Sequence, residues 1–124
     1  MPGFIRKLIL PFLCCMLVSN TMFAQDSLTD SLKVYGNCNM CKANIEGALK
    51  KKDGVLSKNW AKETKILTVT YNPSKTTIQQ IGQKIADAGY DNQYATASNS
   101  AYFNLHTCCQ YERPQKSTEE KKTD

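Results

Sequence analysis

Two cysteines separated by two residues, Cys38 and Cys41, are the clearest candidates for chemistry in this 124-residue chain. Such a pair can bind a soft metal ion such as Cu(I), exchange disulfides, or only staple a small fold. Cys41 stands at the start of a helical pattern, where unpaired N–H groups and the helix dipole favour the thiolate form. Two thiolates alone do not fill a tetrahedral zinc site, and the loop holds no acid for a hard ion.

A second group of soft-metal ligands lies in the C-terminal part of the chain, at His106, Cys108 and Cys109. Four fates are open for its two cysteines: a separate or shared metal site, disulfides with Cys38 or Cys41, intermolecular thiol contacts, or a vicinal disulfide. An extended chain from residue 97 to residue 108 spans up to roughly 35 Å, so a return to the first pair is allowed but not required.

The N-terminal segment, residues 1–24, has the order of a secretory signal peptide. Arg6 and Lys7 precede an apolar run at residues 8–18, and Ala24 suits the position before cleavage. The run is too short to span a membrane, and a retained anchor is the alternative. We therefore expect a periplasmic or otherwise exported protein without stable membrane insertion after cleavage.

Export changes both the charge and the cysteine count. The formal charge of the whole chain is +5, and removal of the signal peptide with its two cationic residues leaves about +3. This mild excess of positive charge does not indicate a nucleic-acid partner. Four cysteines remain in the mature chain, and disulfides are the ordinary expectation in an oxidising compartment.

Residues 31–97 alternate strand and helix patterns. The expected elements are a strand at 32–35, a helix from Cys41 to about Asp53, strands at 55–61 and 67–71, a helix capped by Thr76 or Thr77 and ended by Gly89, and a weaker edge strand at 90–97. This βαββαβ order predicts an α+β, ferredoxin-like sandwich, with a four-stranded antiparallel sheet and two helices on one face. Its expected core comprises Leu32, Val34, Ile45, Leu49, Leu67, Val69, Ile78, Ile81 and Ile85.

The sequence after residue 97 forms two further segments. Residues 98–113 carry the second cysteine pair among apolar side chains that predict packing on the domain, with one or two helical turns capped by Ser98 or Ser100. Residues 114–124 are expected to be disordered, because this segment is charged and has almost nothing apolar to bury.

Several short motifs together resemble the heavy-metal-associated domain. They are Cys38-x-x-Cys41 after Val34-x-Gly36, Ile45-Glu46, Gly54-Val55, and Ile85-Ala86-x-Ala88-Gly89-Tyr90. This family occurs in copper chaperones, in copper-transporting ATPases and in periplasmic mercury-binding proteins. The resemblance implies the same ferredoxin-like fold, metal ligation by Cys38 and Cys41, and a Tyr90 side chain near the metal loop that limits solvent access.

The metal loop departs from the family's pattern. The usual motif is Gly-Met-x-Cys, with the Met packed beneath the loop, whereas this chain has Gly36-Asn37-Cys38 and a Met at position 40. Met40 either takes over the packing role or adds its thioether to a Cu(I) site.

These observations predict an exported soft-metal binding protein that is not an enzyme. The favoured hypothesis is a periplasmic Cu(I) chaperone or scavenger that hands metal to a heavy-metal transporter or efflux component by thiolate exchange, as a monomer or a metal-bridged dimer. Hg(II), Ag(I) and Zn(II) are the other candidate ions. The alternatives are a mercuric-ion delivery protein and a thiol–disulfide oxidoreductase, although the expected order of elements differs from the thioredoxin pattern.

Overall fold

The computed structural model describes residues 26–114. Its elements are β1 (Leu28–Lys33), α1 (Asn39–Gly47), β2 (Val55–Ala61), β3 (Ile66–Tyr71), α2 (Ile78–Asp87) and α3 (Asn99–Phe103), with single 3-10 turns at Lys51–Asp53 and Thr107–Cys109. The predicted signal peptide and residues 115–124 of the predicted disordered tail lie outside the described residues. Among the helices of residues 26–114, none has the length and apolar character needed to cross a membrane.

The three strands form an antiparallel sheet in the order β1-β3-β2. Leu67 of β3 is paired with Leu32 on one side and with Trp60 on the other. β1 begins at Leu28, four residues before the predicted start at residue 32, because its exposed first half pairs through the backbone with the end of β3. An apolar pattern cannot reveal pairing of that kind, since it reports only buried side chains.

The predicted fourth strand at residues 90–97 is replaced by an irregular segment in the same place. It runs antiparallel beside β1 and forms one isolated bridge, between Val34 and Asn92. The Asn92 side chain accepts hydrogen bonds from the N–H groups of Tyr94 and Ala95 and donates to the carbonyl of Gly82. These local bonds compete with a strand ladder and curl the chain. The ferredoxin-like fold is confirmed, with this segment in the position of its fourth strand.

Helix α1 ends at Gly47, earlier than the predicted end near Asp53. Lys50 is extended, with φ −106° and ψ 142°, and this turn carries the Leu49 side chain into the core, where it is fully buried. Gly54 does end the following 3-10 turn, with φ 99°. Helix α2 begins as predicted, because the Thr77 hydroxyl accepts a hydrogen bond from the Gln80 N–H at 3.2 Å.

The core lies between the sheet and the two main helices. Leu32 and Leu67 from the sheet belong to the same buried cluster as Ile45 of α1 and Ile81 of α2. Each of the nine predicted core residues is at most 8% exposed. The cluster also contains residues that the pattern did not predict as core: Cys41 from the metal loop, Cys109 from the C-terminal segment, and Val55, Trp60, Tyr71, Tyr90 and Tyr111.

The segment after residue 97 packs on the domain, as predicted. Ser98 caps α3 by accepting a hydrogen bond from the Ala101 N–H at 3.1 Å. Tyr102 and Leu105 pack against the core cluster, and Tyr111 is buried within it. The extension therefore covers the domain and returns the second cysteine pair toward the first.

Candidate metal site

Cys41 lies in the first turn of helix α1 and Cys38 just before the helix, as predicted, although the helix begins at Asn39, two residues before the predicted start at Cys41. Cys38 is the extended residue before the first helical turn, with φ −151° and ψ 173°, and Cys41 lies within that turn, fully buried. Their sulfur atoms are 3.3 Å apart. Asn37 fixes the orientation of Cys41, because its side-chain oxygen accepts a hydrogen bond from the Cys41 thiol at 3.1 Å.

Trp60 forms the floor of the metal loop. Its indole N–H donates to the Val34 carbonyl at 3.0 Å, and the side chain is 1% exposed. A Cβ atom built on Gly36 would meet the indole ring at 3.0 Å and Cys41 Cβ at 3.2 Å. Only glycine therefore fits between the loop and its floor without displacing one of them.

Met40 does not take over the packing role, so that expectation is wrong. Its side chain is 44% exposed, and the packing position beneath the loop belongs to Trp60. The Met40 thioether lies 3.8 Å from the Cys108 sulfur, at the outer edge of the cysteine group. The sequence showed Trp60 as a strand residue but gave no sign of its place under the loop.

The second cysteine pair lies against the first. The Cys109 sulfur is 3.8 Å from that of Cys38 and 4.0 Å from that of Cys108. The sulfurs of Cys38, Cys108 and Cys109 all lie within 4.8 Å of one another. Within the described residues, the exposed His106 does not belong to this three-sulfur group, although the sequence made it a candidate ligand.

The pKa values of the Cys38 and Cys109 thiols are shifted in opposite directions. A hydrogen bond from the Cys41 backbone N–H is the main cause that lowers the pKa of Cys38 to about 7, and neighbouring thiols contribute. Burial raises the pKa of Cys109 to about 12, and its hydrogen bonds with Cys41 and Cys38 add to this. At neutral pH the group thus combines a half-ionised thiol with a neutral one.

Tyr90 stands behind Cys109. The side chain is fully buried, and its hydroxyl accepts a hydrogen bond from the Asn44 amide at 3.0 Å. The same amide lies 4.0 Å from the Cys109 sulfur, and the Tyr90 ring stacks on Tyr111 with 5.7 Å between centroids. Tyr90 is therefore close to the cysteines, as expected, and its effect on solvent access stays a prediction.

The C-terminal segment is held by a group that we call the tail latch, formed by Asp91, Tyr111 and Arg113. Arg113 donates to both carboxylate oxygens of Asp91, at 2.7 and 2.9 Å. The Tyr111 hydroxyl accepts from the Asp91 N–H at 2.7 Å and donates to the Gly89 carbonyl at 2.9 Å. Sequence reasoning missed this latch, because its members lie about twenty residues apart and no local pattern pairs them.

Comparison with known proteins connects the loop and the fold to one family. The heavy-metal-associated domain matches residues 37–91, which include both cysteines of the loop and Tyr90. The copper chaperone CopZ of Staphylococcus aureus is 39% identical over 61 residues, which cover 48% of this chain and 90% of that protein. The matched family segment ends before Cys108, Cys109 and Arg113.

Solved structures give the same result. Oxidised MerP from Ralstonia metallidurans CH34 superposes with a TM-score of 0.51 at 32% identity, over 55% of this chain and 96% of that one. The water-soluble region of the P-type ATPase CopA from Bacillus subtilis superposes with a TM-score of 0.51 at 32% identity, over 55% of this chain and 46% of that one. Sequence, fold and cysteine loop agree: the chain belongs to the heavy-metal-associated domain family.

Proposed function

We propose that this protein binds a soft metal ion, Cu(I) first of all, and carries it to a transporter. The observation that carries the proposal is the pair of sulfurs of Cys38 and Cys41, 3.3 Å apart at the start of α1. Similarity to a copper chaperone and to the soluble region of a P-type ATPase supports both the cargo and the kind of partner.

The charges around the loop suit such a cargo. Two thiolates and one Cu(I) carry a net charge of −1, which the N-terminus of α1 stabilises through its free N–H groups. Lys65 adds a cation, because its ammonium donates to the Gly36 carbonyl and lies 5.6 Å from the centre of the Trp60 ring. Sulfur ligands favour soft ions over Mg²⁺ or Ca²⁺.

Handover proceeds by ligand exchange at the loop. Cys38 is partly exposed whereas Cys41 is fully buried, so an incoming thiolate reaches the metal from the Cys38 side. The incoming thiolate forms a third metal–sulfur bond, after which one bond to the loop breaks and that cysteine leaves as a thiolate. Exposure of Cys38 speeds this exchange, since a closed site would hold its ion against entering ligands.

Mercuric ion is the second candidate cargo, and the similarity to MerP favours it. Hg(II) prefers the same thiolate ligands, so the loop alone does not separate the two ions. Ag(I) and Zn(II) are the remaining candidate ions. We further propose that the protein is exported to the periplasm, which the composition of residues 1–24 supports. Its partner would be a heavy-metal transporter or efflux component, and it would act as a monomer or as a metal-bridged dimer.

Anaerobic titration of the reduced protein with Cu(I), Hg(II) and Zn(II), against a competing chelator, tests the proposal. We expect Cu(I) or Hg(II) to bind far more tightly than Zn(II), and the Cys38→Ser/Cys41→Ser variant to lose that binding. Asn39→Ser is the matched control, because this exposed residue lies between the two cysteines without being a ligand.

Two results would contradict this function. If the double variant binds Cu(I) as tightly as the wild type, Cys38 and Cys41 are not the metal ligands. Reduction of disulfides at catalytic rates by a protein that binds no metal would favour the oxidoreductase alternative.

A further inference from the structure

We propose that the C-terminal extension provides a retention site, in which Cys38, Cys108 and Cys109 hold one soft metal ion by three thiolates. This inference rests on the proposed soft-metal function and adds a second ligand set to it. Cys38 belongs to both sets, so the ion moves between them without leaving the protein.

Sulfur–sulfur distances favour the three-cysteine set over the loop pair. With metal–sulfur bonds of about 2.3 Å, a planar three-sulfur site needs sulfurs about 4.0 Å apart, and a linear two-sulfur site needs about 4.6 Å. The Cys109 sulfur lies 3.8 Å from Cys38 and 4.0 Å from Cys108. The Cys38–Cys41 separation of 3.3 Å must instead open by more than an ångström for linear binding. The third pair, Cys38 and Cys108, lies within 4.8 Å, so only a small movement of these two sulfurs separates the group from the three-sulfur geometry.

The position of Cys109 is fixed by the fold. Its side chain is fully buried, and its N–H donates to the His106 carbonyl at 2.7 Å in the 3-10 turn. Two residues later, Tyr111 is fastened by its hydroxyl to the backbone of Gly89 and Asp91. Because folding has already ordered the extension, little conformational entropy is lost when its cysteines bind.

Transfer from the loop pair to the retention site is a balanced exchange. The thiols of Cys108 and Cys109 each release a proton as they form a metal–sulfur bond. The bond between the metal and Cys41 breaks, and the Cys41 thiolate takes up one proton. For Cu(I) the metal–thiolate unit changes from −1 to −2, and one proton is released to solvent.

Retention slows release to external ligands. An entering thiolate competes with Cys108 and Cys109, which are already bound to the metal. Handover therefore requires a cysteine of the extension to dissociate from the metal first. Cys108 is the ligand through which this begins, because its side chain is exposed whereas Cys109 is buried.

X-ray absorption of the protein loaded anaerobically with one equivalent of Cu(I) counts the bound sulfurs. We expect three in the wild type, three in Cys41→Ser, and two in Cys108→Ser, a variant that is safe for folding since the residue is exposed. Release of Cu(I) to excess chelator should be at least about tenfold faster from Cys108→Ser than from the wild type. Loss of a metal ligand should weaken binding at least as much as loss of a residue that only hydrogen-bonds to a ligand, which costs about tenfold or more. Asn104→Ser, an exposed change in the same extension, should match the wild type.

The outcomes separate this inference from the proposed function. Two sulfurs in both the wild type and Cys108→Ser, with equal release rates, would overturn the retention site and leave the loop pair as carrier. Absence of Cu(I) binding by the wild type would overturn both.

Discussion

Replacing Arg113 with Met tests how firmly the tail latch holds the extension. The change keeps most of the aliphatic stem and removes the guanidinium, which donates to both oxygens of Asp91, to the Ala97 carbonyl at 2.7 Å and to the Asn99 side chain at 2.8 Å. The Asp91 carboxylate, 4% exposed, then keeps only the Ala97 N–H at 2.8 Å.

The expected cost follows from the burial of this pair. Removing one partner of a buried ion pair costs about 3–5 kcal/mol, because the other charge is left buried and unpaired. The Arg113 side chain is 22% exposed, so water replaces part of what is lost. We expect Arg113→Met to lower the free energy of unfolding by about 2–3 kcal/mol.

Urea unfolding at neutral pH, followed by the fluorescence of Trp60, measures this loss. A double-mutant cycle with Asp91→Asn should return a coupling energy of about 2 kcal/mol. The matched control is Lys84→Met, since Lys84 pairs with Asp53 at 3.0 Å on an exposed surface and should matter less. A loss from Arg113→Met no larger than that from Lys84→Met would refute the latch.

Three further predictions concern the same region and the loop. Burial raises the pKa of Asp91, but hydrogen bonds from Arg113 and from a backbone N–H outweigh burial, so the pKa is lowered. The stabilisation by this ion pair should therefore be fully present above the ordinary aspartate pKa and be lost as the pH falls through the lowered value. Urea unfolding measured at a series of decreasing pH values should show this loss in the wild type and not in Asp91→Asn. Gly36→Ala should cost about 1–3 kcal/mol in urea unfolding through its clash with the indole floor, whereas Gly47→Ala, with nothing within 4 Å, should be neutral or slightly stabilising. Tyr111→Phe removes one hydroxyl that makes two buried hydrogen bonds, and calorimetry should show a loss of about 1–3 kcal/mol.

The parts of the fold that follow from side-chain burial were predictable. Apolar spacing located the buried residues Ile45 and Leu49, although Leu49 lies beyond the end of α1, and the buried face of the sheet. Residue types predicted a cap at Thr76 or Thr77, of which Thr77 forms it. The predictions were wrong where backbone hydrogen bonds or a single side-chain amide determine the local structure. The exposed half of β1 is held by pairing with β3, and the Asn92 amide turns the predicted fourth strand into an irregular segment.

The site divides in the same way. Spacing and helix position located Cys38 and Cys41, because both are local properties of the sequence. The position of Cys109 beside Cys38 depends on contacts between residues far apart in the chain. The sequence therefore showed only that the segment after residue 97 is long enough to bring Cys109 to the loop. Neither Trp60 beneath the loop nor Arg113 in the latch had a local signature, since each acts on a partner in another element.

The contact between Cys38 and Cys109 joins residues 71 positions apart. A metal ion bound to both closes a ring that contains β2, β3 and both main helices, and leaves β1 outside it. By the chain-entropy estimate for a cross-link of this length, closure is worth about 4 kcal/mol. The bound ion would then stabilise the fold itself, so loaded molecules should resist proteases and heat better than empty ones.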